Sequence, residues 1–160
     1  MIIFIYIRMK KQVWGNAAWF VFHTLATKLK PEFPEEPKIL FQHIKSICRN
    51  LPCPDCSDHA TALLNSVNVE MVCASTEQLK IFLHQFHNRV NAKVGNKQFT
   101  QKESEDKYIR ANTRAIVLYF LNIMESNMNN EKMMLSAFHR SQYMKDFRGY
   151  MDKNLYKYNP

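Results

Sequence analysis

An all-α fold is the class this sequence predicts, on three observations. The 160 residues include only three glycines and six prolines, too little turn-forming material for an all-β design. Apolar residues recur at three- and four-residue spacing along most of the chain. Two helix-start signals occur, Ser75 with Gln78 directly ahead of such a stretch and Thr100 with Glu103 further on. The length suits one domain with a real hydrophobic core rather than two.

Taken in order, the first helix is expected over Val13 to Leu29, with Trp14, Ala18, Val21, Phe22 and Leu25 on one broad face. The segment from Pro31 to Pro37 breaks it. Glu35 and Glu36 then favour a new helix start, and Ile39, Leu40, Ile44 and Ile47 supply its buried stripe. Pro52 and Pro54 break the chain again, because neither has an amide hydrogen and Pro52 disfavours helical geometry at Leu51. A helix restarts at about Pro54 and runs through Cys56, His59, Ala60 and Leu63 to about Asn65, followed by a short polar connection. Ser75 opens the clearest helix, whose stripe of Leu79, Phe82, Leu83, Phe86, Val90 and Val94 ends at Gly95. Thr100 opens another that passes Tyr108. Between Ala115 and Met124 only Asn122 is polar, which predicts a helix buried on all sides, too short to cross a bilayer. Asn127 to Asn130 reads as a linker, and Met133, Met134, Ala137, Phe138, Met144 and Phe147 as one more amphipathic helix.

Charge and ends exclude some classes. The net charge of +8 favours acidic partners, but the lysines and arginines are dispersed along the chain and accompany no nucleic-acid-binding motif. Nucleic acid is therefore not the expected partner. The apolar start, Met1 to Ile7, is followed rather than preceded by Arg8, Lys10 and Lys11, which makes neither a membrane span nor a signal peptide. No membrane association is expected.

The four cysteines are too few for a disulfide scaffold, but Cys53-Pro54-Asp55-Cys56 is a C-x-x-C at a helix start. Free amide hydrogens and the helix dipole stabilise a thiolate there, so the pair reads as a redox disulfide. A competing reading makes it half of a zinc site completed from His59, Cys73, His84 and His87, in a zinc-stabilised helical module that binds nucleic acid. No second C-x-x-C or H-x-x-x-H follows at finger spacing, and no metal site is expected. A thioredoxin-like reading needs a βαβ pattern that is not evident. A redox pair in an all-helical domain requires another electron acceptor, which a bound flavin supplies. Two helix faces offer to line one: His84, His87, Asn88 and Asn91 on one helix, and Gly15, Trp19 and His23, each four residues apart, on another. Each of these is, by itself, an ordinary core or surface residue. There is no G-x-G-x-x-G for a Rossmann site.

Three blocks in order resemble the Erv/ALR sulfhydryl oxidases: Trp14-Gly15-x-x-x-Trp19-x-x-x-His23-Thr24-Leu25, Leu51-Pro52-Cys53-x-x-Cys56-x-x-His59, and His87-Asn88-x-Val90-Asn91-x-Lys93-x-Gly95. The resemblance runs from about Val13 to Tyr108. It implies a four-helix bundle with a short fifth helix and FAD held between helices, here with additional C-terminal helices. By position it assigns Gly15, Trp19, His23, Cys56, His59, His87, Asn88, Val90, Asn91 and Lys93 to FAD, with Lys97 and Tyr108 as weaker matches because the family more often has tryptophan near Tyr108. It implies that Cys53 and Cys56 are catalytic. Cys53 would be attacked by substrate thiolate and Cys56 would face the flavin, with electrons passing from the pair to FAD and then to oxygen, giving hydrogen peroxide.

The same resemblance divides the chain into an extension over 1–12, the FAD-binding oxidase core over 13–108, and a helical extension over 109–160 as a candidate dimer surface. The usual partners would be a second copy of the chain and a thiol-containing protein, such as a viral thioredoxin-like or small dithiol protein. The family's structural disulfide is missing, since His84 stands at the place of its second cysteine, and so is a shuttle cysteine pair. Cys48 and Cys73 are expected as free thiols. These departures are similar to the short oxidases of large cytoplasmic DNA viruses, implying the host cytoplasm or the virion, with the mitochondrial intermembrane space as the alternative location.

Overall fold

The computed structural model describes the backbone over 2–126 and 134–160, and side chains over 11–126 and 138–160. Its elements are α1 (Ile2–Lys28), α2 (Glu36–Arg49), α3 (Pro54–Ser66), α4 (Val69–Val72), α5 (Thr76–Val94), α6 (Gln101–Tyr108), α7 (Thr113–Ser126) and α8 (Met134–Asn154), closed by a 3₁₀ turn over Leu155–Lys157. The all-α expectation holds. The expected linker over 127–130 and Met133 lie outside the described residues.

Local chemistry sets most boundaries. Cys53 is the N-cap of α3, its sulfur accepting from Cys56 N at 3.3 Å, and Pro54 fits the first turn, where an amide hydrogen is not needed. Asn68 caps α4 and Asn112 caps α7, each through its side-chain oxygen. Ser75 Oγ accepts from Gln78 N at 3.1 Å at the head of α5. Thr100 and Glu103 form the full reciprocal box on α6, with Glu103 N donating to Thr100 Oγ1 and Thr100 N to Glu103 Oε2. Gly95 ends α5 with φ +76°, a left-handed conformation that suits glycine.

Helix α1 is the central element, packing against α2, α5, α6 and α7, while α2 packs against α3, α5 and α8. Its buried residues Val21, Phe22 and Leu25 join Leu40, Phe41, Ile44 and Ile47 of α2 and Leu79 and Leu83 of α5 in one core. Phe120, Met124, Met144 and Phe147 from α7 and α8 belong to that same core. The C-terminal helices are thus built into the bundle's packing.

Three expectations change in detail. Helix α1 extends well before Val13, so the segment before that residue is its first turns. The connection after α3 contains the short helix α4. Helix α7 is not buried all round: Val117, Phe120, Leu121 and Met124 are buried, but Leu118 and Tyr119 are each 48% exposed. An uninterrupted apolar run does not say which of its residues face the core, and three- and four-residue spacing turns only one side of α7 towards α1.

The chain end is bound to the α1–α2 connection. Lys30 N donates to Lys157 O at 2.9 Å and Asn159 N to Lys28 O at 2.7 Å, around an antiparallel bridge between Leu29 and Tyr158. Beneath it Glu36, only 1% exposed, accepts from Lys157 Nζ at 2.7 Å and from the Tyr150 hydroxyl. Removing one partner of a buried ion pair leaves the other charge uncompensated. Glu36→Ala should therefore cost about 3 kcal/mol of folding stability, and Tyr150→Phe about 1 kcal/mol. Both are read from urea midpoints at unchanged m-value, and equal stability of Glu36→Ala and the parent would refute the role given to this pair.

Candidate functional site

The one disulfide among the described residues joins Cys53 and Cys56, with Cα atoms 5.2 Å apart. Both residues are half-buried, while Pro54 and Asp55 between them are exposed. Cys48 and Cys73 are buried free thiols, as expected. Burial pushes the Cys48 thiol up to about 12 and the Cys73 thiol up to about 11, so neither supplies appreciable thiolate near neutral pH. The pair at the start of α3 is less deeply buried, and the Cys56 amide there points at the Cys53 sulfur.

A second constellation gathers aromatic rings from α1, α5 and α6. His87 stacks on Trp19 with centroids 4.1 Å apart and planes 8° from parallel. His23 stacks on Tyr108 at 4.6 Å and 10°. The two stacks are joined by a hydrogen bond between His23 Nε2 and His87 Nδ1 at 3.0 Å. One nitrogen must donate and the other accept, so the contact requires at least one neutral ring. Burial is the main reason both histidines resist protonation, aided for His23 by the charges of His87, His84 and Lys107, and for His87 by those of Lys107 and His84. His23 lies well below the usual histidine range, and His87 falls to about 4.

Phe99 closes the set edge-on to His87 at 4.8 Å. Its backbone is held from α5: Phe99 N donates to Asn88 Oδ1 at 3.1 Å, and Phe99 O accepts from Asn88 Nδ2 and His84 Nε2, each at 2.7 Å. Asn88 and His84 therefore use their polar groups to place Phe99. Beside the rings lies a cleft of about 210 Å³ lined by His87, Phe99, Glu103, Ser104, Lys107 and Tyr108. Lys107 Nζ stands 5.3 Å from the Tyr108 ring centroid.

Of the residues singled out in the sequence, Trp19, His23, His87 and Tyr108 come into mutual contact, and Asn88 supports them through Phe99. Asn91 is buried on α5, Val90 packs against the core, and His59 is half-buried one turn beyond Cys56. Lys93 and Lys97 are exposed, and among the described residues neither they nor His59 bond to the rings. Phe99, Lys107, Glu103 and Ser104 were not foreseen. Phe99 follows a non-helical stretch, and nothing in its neighbours announces the bond to Asn88.

The arrangement fits the flavin that the sequence led us to expect. A Cβ at Gly15 would meet nothing within 4 Å, which leaves the α1 backbone open to a flat ring system. The paired flat side chains offer stacking surfaces, and Lys107 offers positive charge beside the cleft for a diphosphate. The zinc reading finds no such gathering. Among the described residues no group of three or more His, Cys, Asp or Glu stands where it could hold a metal ion. No helix among them is long and apolar enough to cross a membrane.

Comparison with known proteins agrees with the chemistry. The Erv1 / Alr family model matches residues 16–110. The chain is 31% identical over 102 residues to the putative FAD-linked sulfhydryl oxidase 096R of Invertebrate iridescent virus 3, covering 61% of this chain and 66% of the relative. It is 31% identical over 61 residues to the probable FAD-linked sulfhydryl oxidase FPV093 of Fowlpox virus (strain NVSL), covering 38% and 61%. It is also 31% identical over 90 residues to FAD-linked sulfhydryl oxidase ERV1 of Arabidopsis thaliana, covering 53% and 44%. The chain thus spans somewhat under two thirds of the length of the first two relatives. No solved structure is significantly similar to it.

The histidine pair sets a pH dependence. An unfolded histidine takes up its proton near pH 6.5, and folded His87 only near 4. Between those values the unfolded chain binds more protons, so stability is intact above about pH 6.5 and falls as pH drops through the window. The loss from His87 alone should be about 2–3 kcal/mol by pH 4.5, and His23 acts in the same direction. Urea midpoints at pH 7 and pH 4.5 measure it, and His87→Phe should show a smaller difference between the two than the parent.

Proposed function

The chain belongs to the Erv1/Alr family, and from that premise we propose that it is an FAD-dependent thiol oxidase that introduces disulfides into substrate proteins. The observation that carries the reading is the half-buried Cys53–Cys56 disulfide at the start of α3, in a chain whose other two cysteines are buried, inert thiols. FAD would supply acceptance of an electron pair from the reduced cysteines and its delivery to oxygen as hydrogen peroxide.

Cys53 is the proposed entry point. A substrate thiolate attacks its sulfur, the S–S bond to Cys56 breaks, and Cys56 leaves as thiolate among the free amides that begin α3. A second substrate thiolate attacks the substrate sulfur of the mixed disulfide and releases Cys53, whose own sulfur is placed to accept from Cys56 N. The substrate has then lost two electrons and two protons, and the pair has gained the electrons.

Trp19, His23, His87 and Tyr108 would hold the flavin's flat ring system, with Gly15 allowing close approach and Asn88 acting through Phe99. Lys93, Lys97 and Lys107 are exposed cations suited to the diphosphate. His59, Val90 and Asn91 complete the proposed contact set. The neutral histidine pair keeps uncompensated positive charge out of the stacked rings. The proposed substrate is a dithiol protein, the acceptor is oxygen, and the proposed assembly is a homodimer. The likeness to iridovirus and poxvirus proteins supports a virus-encoded enzyme working in host cytoplasm or virion.

The purified protein should be yellow, and dithiothreitol without air should bleach it. Cys56→Ser should keep the colour but resist bleaching and lose at least about 100-fold in dithiol-dependent peroxide formation, as expected when a redox nucleophile is removed. Trp19→Ala should lower the flavin content. A folded, colourless parent protein, or one with stoichiometric zinc on the cysteines, would overturn the proposal.

A further inference from the structure

Arg140 lies on α8, beyond the residues matched by the family model, and is only 6% exposed. Its Nε donates to the backbone oxygen of Asn50 at 2.7 Å. Asn50 is the C-cap of α2 and begins the short Leu51-Pro52 approach to Cys53. Consecutive Cα atoms are 3.8 Å apart, so those of Asn50 and Cys53 can be separated by no more than about 11 Å. Ser57 Oγ, from the first turns of α3, binds the adjacent Arg49 oxygen at 2.8 Å. The end of α2 and the start of α3 are thus fastened together, and Arg140 is inserted at that junction.

Among the described residues no aspartate or glutamate pairs with Arg140. Burial depresses its affinity for a proton. A buried guanidinium facing a carbonyl rather than a carboxylate is a costly group, and no carboxylate among the described residues neutralises its positive charge. A neutral donor of similar reach would satisfy the carbonyl as well, so the hydrogen bond by itself does not account for the charge.

We infer that Arg140 is a positioning residue for the redox pair: its hydrogen bond fixes the segment leading to Cys53, and its charge favours the thiolate state of the reduced cysteines over the disulfide. The inference rests on the reading of Cys53 and Cys56 as the redox centre. Reduction of that disulfide takes two electrons and up to two protons from a substrate dithiol, which becomes a disulfide. A nearby cation stabilises whichever sulfur stays deprotonated, so it makes the pair a stronger acceptor of substrate electrons. The bundle's added C-terminal helix would thereby tune the reaction as well as complete the core.

The test compares the parent with Arg140→Lys, Arg140→Gln and Arg140→Met as isolated proteins with whatever flavin they carry. After reduction, iodoacetamide alkylation of the Cys53–Cys56 peptide is followed by mass spectrometry across pH, and the disulfide fraction is measured against glutathione. Loss of the unit charge at this junction should raise the alkylation midpoint by about half a pH unit in the Gln and Met variants. The rate at neutral pH should fall about threefold, and the glutathione equilibrium should shift about threefold towards disulfide. Arg140→Lys should stay near the parent. Unchanged midpoints and equilibria in Arg140→Gln would overturn the inference and leave Arg140 a structural residue, as would a shift of equal size in Arg140→Lys. If Arg140→Met fails to fold, the Gln and Lys variants decide. A colourless parent unable to oxidise dithiols would instead sink the oxidase reading, which these thiol titrations do not measure.

Discussion

The hydrogen bond between His23 and His87 is the contact on which the ring cluster depends. It joins α1 to α5 in a place where burial makes a charged imidazole costly, and it forms only while at least one ring is neutral. Trp19 and Tyr108 are positioned by stacking on its two members, and Phe99 packs edge-on against His87. A change in protonation at this one point would disturb three helices together. In a neutral cluster, stacking and a single shared proton can be combined without an unpaired buried charge.

The four cysteines differ in environment. Cys48 and Cys73 are as capable of redox chemistry in principle as the other two, yet burial holds both in the protonated form. Cys53 and Cys56 stand at the opening of α3, half-buried, next to a proline that needs no amide partner and amides that favour developing negative charge. Asp55 works weakly against that stabilisation, but it is exposed and so is screened by solvent. Arg140 approaches the same junction from α8 without a carboxylate partner among the described residues.

The C-terminal helices make the fold more than a bundle with an appendage. Phe120, Met144 and Phe147 complete the core begun by α1 and α2, and the buried Glu36 ties the start of α2 to Tyr150 and Lys157. The exposed Leu118 and Tyr119 lie on the far side of α7 from this packing. Their exposure was hidden in the sequence by the near-absence of polar residues between Ala115 and Met124. Hydropathy records which residues tolerate burial, and only a neighbour decides which of them obtain it.

The sequence by itself determined the helical class, the caps at Ser75 and Thr100, the left-handed stop at Gly95 and the C-x-x-C pair at a helix start. These follow from interactions spanning a few residues, so short stretches of chain contain all the necessary partners. It also marked Trp19, His23 and His87 as candidates through helical spacing. Tertiary structure alone decided that they stack on one another, that Tyr108 completes the set, and that Asn88 serves Phe99. It alone brought Arg140 to Asn50 and buried Glu36. Those contacts join residues distant along the chain, and such pairings are fixed by how whole helices pack, which no local pattern of residue types encodes.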